Sequence, residues 1–296
     1  MALSYMHEFH AGNFADLQKH FALTLLLKSM CKKEKPFTII DCHASSARFN
    51  LNDERLIKTQ EAKNGIEKIM HFYDNPSVKL QESVKDYLKL EQAYFRKNLY
   101  AGSAEIERLF LRSGDKIHLI EKHPQAFANL QKNMDLPLET LDGERKCPVK
   151  VSLYNDDSYK TLLSLTPPLI KRGIIFCDPS YEDSSDYKIL TKTLETASKK
   201  WNTAVIVVWY PLLTHRKNET AQMISSLEDC AKLQKTQIET CRIEMIVKNP
   251  NDILADENYK NKSHLYGSGI FVMNPPWNFA DELENASNQI QKLLSV

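Results

Sequence analysis

Gly173-Ile174-Ile175-Phe176-Cys177-Asp178-Pro179-Ser180-Tyr181 is the stretch whose reading decides the fold. A short apolar run leads straight into an acid, a proline, a small hydroxyl residue and an aromatic. Such a run reads as a strand buried on both faces, as in a parallel sheet. Pro179 cannot donate to the ladder, so the strand should end at Asp178 and open into a loop. In open α/β sheets, ligands bind just beyond the carboxyl ends of the strands. Residues 178–181 therefore stand where chemistry is expected, although the same residues also read as an ordinary strand end closed by an Asp-Pro turn.

Working outward, similar apolar runs occur at 37–41, 116–121, 149–154, 204–209, 238–247 and 269–273. The first two close on Asp41 and Glu121, and the run at 204–209 is closed by Tyr210-Pro211. Between them lie helical periodicities. Residues 14–30 read as an amphipathic helix with Asn13 as N-cap and Asp16 in its first turn. Ser103 is expected to cap a second helix, and His123-Pro124 to start a third. Further helices are expected over 186–199, 216–234 and 280–294. Alternation of this kind over the whole length implies a mostly parallel sheet with helices on both faces. Residues 51–98 contain no convincing strand and carry nine Lys/Arg against eight Asp/Glu, so they read as a helical insertion after the first strand rather than a basic arm. The division expected is one α/β domain from 1–50 and 99–296, with 51–98 inserted.

The 296 residues carry a net charge of +1, so no global basic field announces a nucleic-acid partner, although a local patch would suffice. The six cysteines include no CxxC pair; they suit reduced, buried thiols in a cytoplasmic protein and give no metal site. No apolar run reaches the roughly 18 residues of a membrane span, and the N-terminus lacks the layout of a secretory signal.

Four strand ends bring polar groups toward one edge: Asp41 with His43, Glu121, Asp157 with Ser158, and Asp178. Acids after the first and second strands suit a ligand with an amino group and a ribose. Neither GxxxxGK[ST] nor GxGxxG occurs, so a phosphate cradle is not supported. A nucleoside without phosphate fits best, and S-adenosylmethionine is the obvious candidate.

Asp178-Pro179-Ser180-Tyr181 resembles the (Asp/Asn)-Pro-Pro-(Tyr/Phe/Trp) signature of amino-methyltransferases. More closely, the chain resembles the RlmJ family of 23S ribosomal RNA adenine-N6 methyltransferases. The resemblance runs through Ser4-Tyr5, residues 9–13, Ala15-Asp16, Lys19-His20, Asp41, His43-Ala44, Arg48, Gly102-Ser103, Glu121 and His123-Pro124. It continues with Arg172-Gly173, Asp178-Pro179, Tyr181, residues 209–211 and Asn274-Pro275-Pro276-Trp277.

The resemblance implies a class I, Rossmann-like methyltransferase with a seven-stranded, mostly parallel sheet, acting as a monomer in the cytoplasm. The substrate would be 23S rRNA, free or partly assembled, with neither metal nor membrane involved. It places the cofactor against His20, His43, Ser103, Glu121, Asp157, Ser158 and Asp178, and the RNA against Tyr5 and Lys19. Catalysis would fall to Asp178 and the Pro179 carbonyl as acceptors of the amine hydrogens, with Tyr181 as a stacking face. The late Asn274-Pro275-Pro276-Trp277 mimics the signature but follows a late strand, so its role is structural. Two departures from the family pattern stand out. Ser45-Ser46-Ala47 replaces a glycine-containing loop, which would restrict φ and crowd the cofactor, and Ser180 replaces the second proline. A cofactor- or RNA-binding protein without transfer activity, and a DNA adenine-N6 methyltransferase, remain alternatives.

Overall fold

The computed structural model describes residues 7–234, 237–255 and 264–295. Its centre is a seven-stranded sheet: β1 (Thr38–Asp41), β2 (Lys116–Ile120), β3 (Ser152–Tyr154), β4 (Gly173–Cys177), β5 (Val205–Leu213), β6 (Thr240–Ile246) and β7 (Leu265–Met273). Their order across the sheet is β6-β7-β5-β4-β1-β2-β3. All neighbours pair in parallel except β7, which runs antiparallel between β5 and β6. The order reverses between β4 and β1, so their carboxyl ends open a crevice. The all-apolar β4 is buried along its whole length, as a central parallel strand must be.

β5 and β7 run longer than expected. β5 passes through Pro211, which is tolerated because pairing with β4 ends at Val208. Two short antiparallel pairs, 48–50 with 99–101 across the insertion and the hairpin 138–140 with 143–145, escape the sequence pattern because three-residue strands carry too little periodicity.

The helix α1 (Phe14–Cys31) is capped by Asn13 as expected, its side chain accepting from the N–H groups of Ala15 and Asp16. Amphipathic character, however, is not what the fold uses. Gln18, Lys19, His20 and Thr24 are all buried alongside the leucines, because helices of residues 51–98 and the C-terminal helix Phe279–Ser295 pack over the face that would otherwise meet water. Apolar side chains of 51–98, among them Ile66, Tyr87 and Tyr94, belong to the same contiguous core as Leu17 and Phe21.

Residues 51–98 form helices Glu54–Thr59, Lys68–Tyr73 and Glu82–Phe95, with a π-helical turn at Lys63–Glu67. That turn clamps the N-terminal segment. The Ile66 N–H donates to the Gly12 carbonyl, and a Cβ on Gly65 would lie 2.1 Å from that oxygen. Gly12 itself sits at φ +76°, a region that favours glycine.

Candidate active site

A cavity of about 370 Å³ opens at the carboxyl ends of β4, β1 and β2. It is lined by residues from four quarters of the chain: the segment before α1 and α1 itself, the β1 and β2 loops, Asp157–Tyr159, and the β4 loop with Trp209 of β5.

Asp41 ends β1 with no exposed surface. One oxygen accepts the His43 N–H at 2.9 Å and the other the Ser103 hydroxyl at 2.7 Å. Burial pushes its carboxyl up to about 7, against those two hydrogen bonds. Ser103 is therefore the first residue of its helix (Ser103–Phe110) with its hydroxyl turned to Asp41; Gly102, not Ser103, occupies the N-cap position.

His43 follows in the β1 loop. Its Nδ1 accepts the Asp178 N–H at 3.2 Å, so the ring proton resides on Nε2. Burial pushes the imidazole down to about 3, so it is neutral across the physiological range. The next residues have the backbone of a glycine loop without the glycines: Ser45 sits at φ +49° and Ala47 at +62°. Each costs on the order of 1 kcal/mol, and the loop holds both. In return the Ser45 N–H donates to Glu121 at 2.9 Å, while the second Glu121 oxygen accepts from the His123 N–H at 2.7 Å.

Asp157 caps the helix Ser158–Leu165, accepting from Tyr159 and Lys160, and pairs with Lys122 at 3.2 Å. Burial alone would raise its carboxyl; these donors and the Lys122 ammonium outweigh it and hold it below the usual value.

Beneath the cavity lies a charged chain. Lys19 bridges Asp16, at 2.7 Å, and the Oδ2 of Asp178. Its ammonium is almost fully buried; desolvation alone would discharge it, but the two carboxylates overcome that and raise its pKa. Asp16 also accepts from the Gly12 N–H at 2.8 Å and contacts His7 at 2.9 Å. His7 and Lys19 outweigh its burial and keep it well below the carboxylate range. One residue on, His20 meets the Tyr100 hydroxyl at 2.6 Å, and burial keeps it neutral.

The structure thus brings together His20, His43, Ser103, Glu121, Asp157, Ser158, Asp178, Pro179 and Lys19 around one cavity. Lys19, which the resemblance set against the RNA, lines the cavity with its amine held between two carboxylates. One expectation needs correction. Tyr181 does not line the cavity; its ring is 2% exposed, packed 4.6 Å from that of Tyr187, and its hydroxyl donates to the Trp209 carbonyl. Trp209 lines the cavity instead, alongside Phe49 and Tyr159, and its ring lies 5.6 Å from the Lys19 ammonium. Tyr5 lies outside the described residues. Sequence reasoning gave no role to His10 and Glu61, which meet at 2.9 Å on the rim; a contact across 51 residues leaves no local signal. Among the described residues, no group of three or more His, Cys, Asp or Glu is placed to hold a metal ion, and no helix is long and apolar enough to cross a membrane.

A sheet in this order, with a nucleoside-sized cavity at its switch point, defines a class I methyltransferase, and the methyl donor of that class is S-adenosylmethionine. The family model described as "Ribosomal RNA large subunit methyltransferase D, RlmJ" matches residues 34–296, and the chain belongs to that family. It is 30% identical over 286 residues to the Escherichia coli (strain K12) protein named "Ribosomal RNA large subunit methyltransferase J", covering 96% of this chain and 91% of that one. The Haemophilus influenzae protein of the same name is 30% identical over 292 residues, 99% of this chain and 94% of the relative. Among solved structures, a Legionella pneumophila protein superposes with a TM-score of 0.79 at 28% identity, covering 97% of this chain and 94% of the other.

Proposed function

We propose that the protein methylates the exocyclic N6 of an unpaired adenine in 23S rRNA. The observation that carries this reading is the placement of Asp178 and Pro179 at the cavity with their acceptors unspent. Lys19 occupies only Oδ2 of Asp178, and Oδ1 has no hydrogen-bond partner among the described residues.

The residues present fit S-adenosylmethionine. Glu121, at the end of β2, lines the cavity with a carboxylate oriented by two backbone donors, a group suited to ribose hydroxyls. His20, His43, Ser103, Asp157 and Ser158 complete the lining, with no row of cations that would demand a phosphate. When bound, the cofactor supplies an electrophilic methyl on a sulfonium.

The adenine amine is a poor nucleophile because its lone pair is delocalised into the ring. Asp178 Oδ1 and the Pro179 carbonyl accept its two hydrogens and favour a tetrahedral nitrogen. Lys19 keeps a positive charge on the far oxygen, which fixes the carboxylate's orientation and makes Asp178 first an acceptor, then the base that takes the released proton. Trp209, rather than Tyr181, offers the stacking face at the cavity. Hydrogen-bonded to the carbonyl of Trp209, Tyr181 braces that residue from behind. The base must leave its stack to reach this depth. The left-handed Ser45 and Ala47 support an operating cofactor loop, since the backbone geometry survives the loss of glycine.

Transfer of labelled methyl from S-adenosylmethionine into rRNA of a strain lacking its own enzyme tests the proposal. Product digestion should give N6-methyladenosine; no incorporation at saturating cofactor, from protein that binds the cofactor, would sink it.

A further inference from the structure

The cavity is a poor place to hold RNA phosphates. Asp16, Glu61, Glu121, Asp157, Asp178, Glu182 and Asp186 line it, against Lys19 and Lys122. Affinity for a polyanion must come from elsewhere. At the opposite, amino edge of the sheet, the loops 32–37, 111–116, 166–172 and 199–204 carry nine lysines and arginines against Glu34 and Asp115. The two edges are separated by the length of a strand, about 17 Å for five residues.

These four loops are stitched into one ledge. Arg112 donates to the carbonyls of Lys33, at 2.9 Å, and Lys35, at 3.3 Å, and Arg172 to that of Lys35 at 2.7 Å. The Lys171 carbonyl accepts from Trp201 Nε1 at 2.6 Å and from the Thr203 hydroxyl at 2.9 Å. Asp115, buried, is committed to Arg112 and to the Phe37 N–H. Lys33, Lys35, Lys116, Lys171 and Lys199 are exposed and make no ion pair among the described residues.

A second, independent feature stands on the same edge. β7 runs antiparallel, so its end delivers Asn274-Pro275-Pro276-Trp277 here, and the Asn274 amide donates to the carbonyls of Asn202 at 2.9 Å and Ala204 at 2.8 Å. The Trp277 ring, 92% exposed, is thereby held out beside the loop of Lys199 and Lys200. Two prolines and an asparagine at φ +55° fix the turn that presents it. A bare indole costs solubility, and nothing in the core uses it. Cations in a row with an aromatic face among them are what unpaired RNA requires: charge for the backbone, a platform for a base.

From this ledge we infer that the amino edge of the sheet is a second RNA-binding surface, taking the phosphate backbone along its lysines and an unpaired base on Trp277. The inference rests on the rRNA reading and deepens it. A substrate engaging both edges must wrap the side of the sheet, so it is a structured rRNA segment rather than a short oligonucleotide.

Fluorescence anisotropy with a labelled 23S rRNA fragment over a salt series tests this, with cofactor calorimetry as the control for folding. Trp277→Ala should weaken binding about 5- to 150-fold, and Trp277→Phe should restore most of it. The pair Lys171→Gln and Lys199→Gln should lower the steepness of log affinity against log salt by about 1.4. Unchanged affinity and salt slope in both variants, with intact cofactor binding, would overturn the amino-edge site and leave the methyltransferase reading standing. Wild-type protein that binds cofactor but no rRNA overturns both.

Discussion

The two edges of the sheet treat charge in opposite ways. At the carboxyl edge ionisable groups are buried or half-buried and committed to partners: Lys19 between Asp16 and Asp178, Asp41 between His43 and Ser103, Glu121 with two backbone amides. At the amino edge the lysines are exposed and make no ion pair among the described residues, while Arg112, Arg172 and Trp201 hold the backbone carbonyls of Lys33, Lys35 and Lys171. Buried, paired charge costs stability when one partner is removed and fixes geometry to fractions of an ångström. Exposed charge is nearly neutral for folding but governs association. A net charge of +1 hides this segregation completely.

The contrast can be broken at its strongest point first. Asp178→Asn should reduce methyl transfer about 100- to 10,000-fold with folding intact; near-normal turnover would remove Asp178 from its role. Lys19→Met leaves Asp16 and Asp178 facing each other without a cation and should destabilise the fold by about 3–5 kcal/mol in urea unfolding. A loss under about 1 kcal/mol would mean that the buried bridge is not maintained in solution.

Asp41 and His43 sharpen the picture through pH. The raised Asp41 carboxyl contributes stability that is full below its ordinary value of 3.8 and is lost as pH rises toward about 7. His43, depressed to about 3, has the opposite sign: its contribution is full above 6.5 and is lost as pH falls. The two slopes oppose each other over the same window. In Asp41→Asn only the histidine slope remains, so stability should fall on acidification by up to about 1.4 kcal/mol per pH unit more steeply than in the parent. Parallel stability profiles for the two proteins between about pH 4 and pH 6 would contradict this assignment.

The smallest effects should lie where the comparison predicts least. Ser45→Gly relieves a left-handed serine, offset by glycine's extra freedom when unfolded, for a gain of about 0.5 kcal/mol. Lys33→Gln at the amino edge should change stability by less than about 0.5 kcal/mol.

Much of this was legible in the sequence because it is local. Strand β4 and its Asp178-Pro179 end, the Asn13 cap, and the acids closing β1 and β2 all announce themselves through short-range pattern. The strained loop was legible too: the missing glycines at 45–47 pointed to a φ restriction, and Ser45 and Ala47 carry it. What the sequence hid is contact across distance. Nothing near Lys19 says that Asp178, 159 residues away, lies at its amine. Tyr181 looked like the base platform because the motif places an aromatic there, yet its left-handed backbone at φ +53° and the packing of Tyr187 direct the ring inward. Asn274-Pro275-Pro276-Trp277 was given a structural role; its asparagine has one, whereas the tryptophan it presents has none in the core.

The clamp of Gly12 on the π-helical turn has a kinetic meaning. The cavity's rim closes only when residues 7–13 meet 61–66, a junction of two backbones with no space for a side chain. The junction exists only when α1 and the inserted helices are both in place, and it can open without breaking any pairing of the central sheet. A cofactor that binds only the finished rim therefore acts on unfolding more than on folding. It should slow the opening of this junction while leaving the rate of assembly of the sheet untouched.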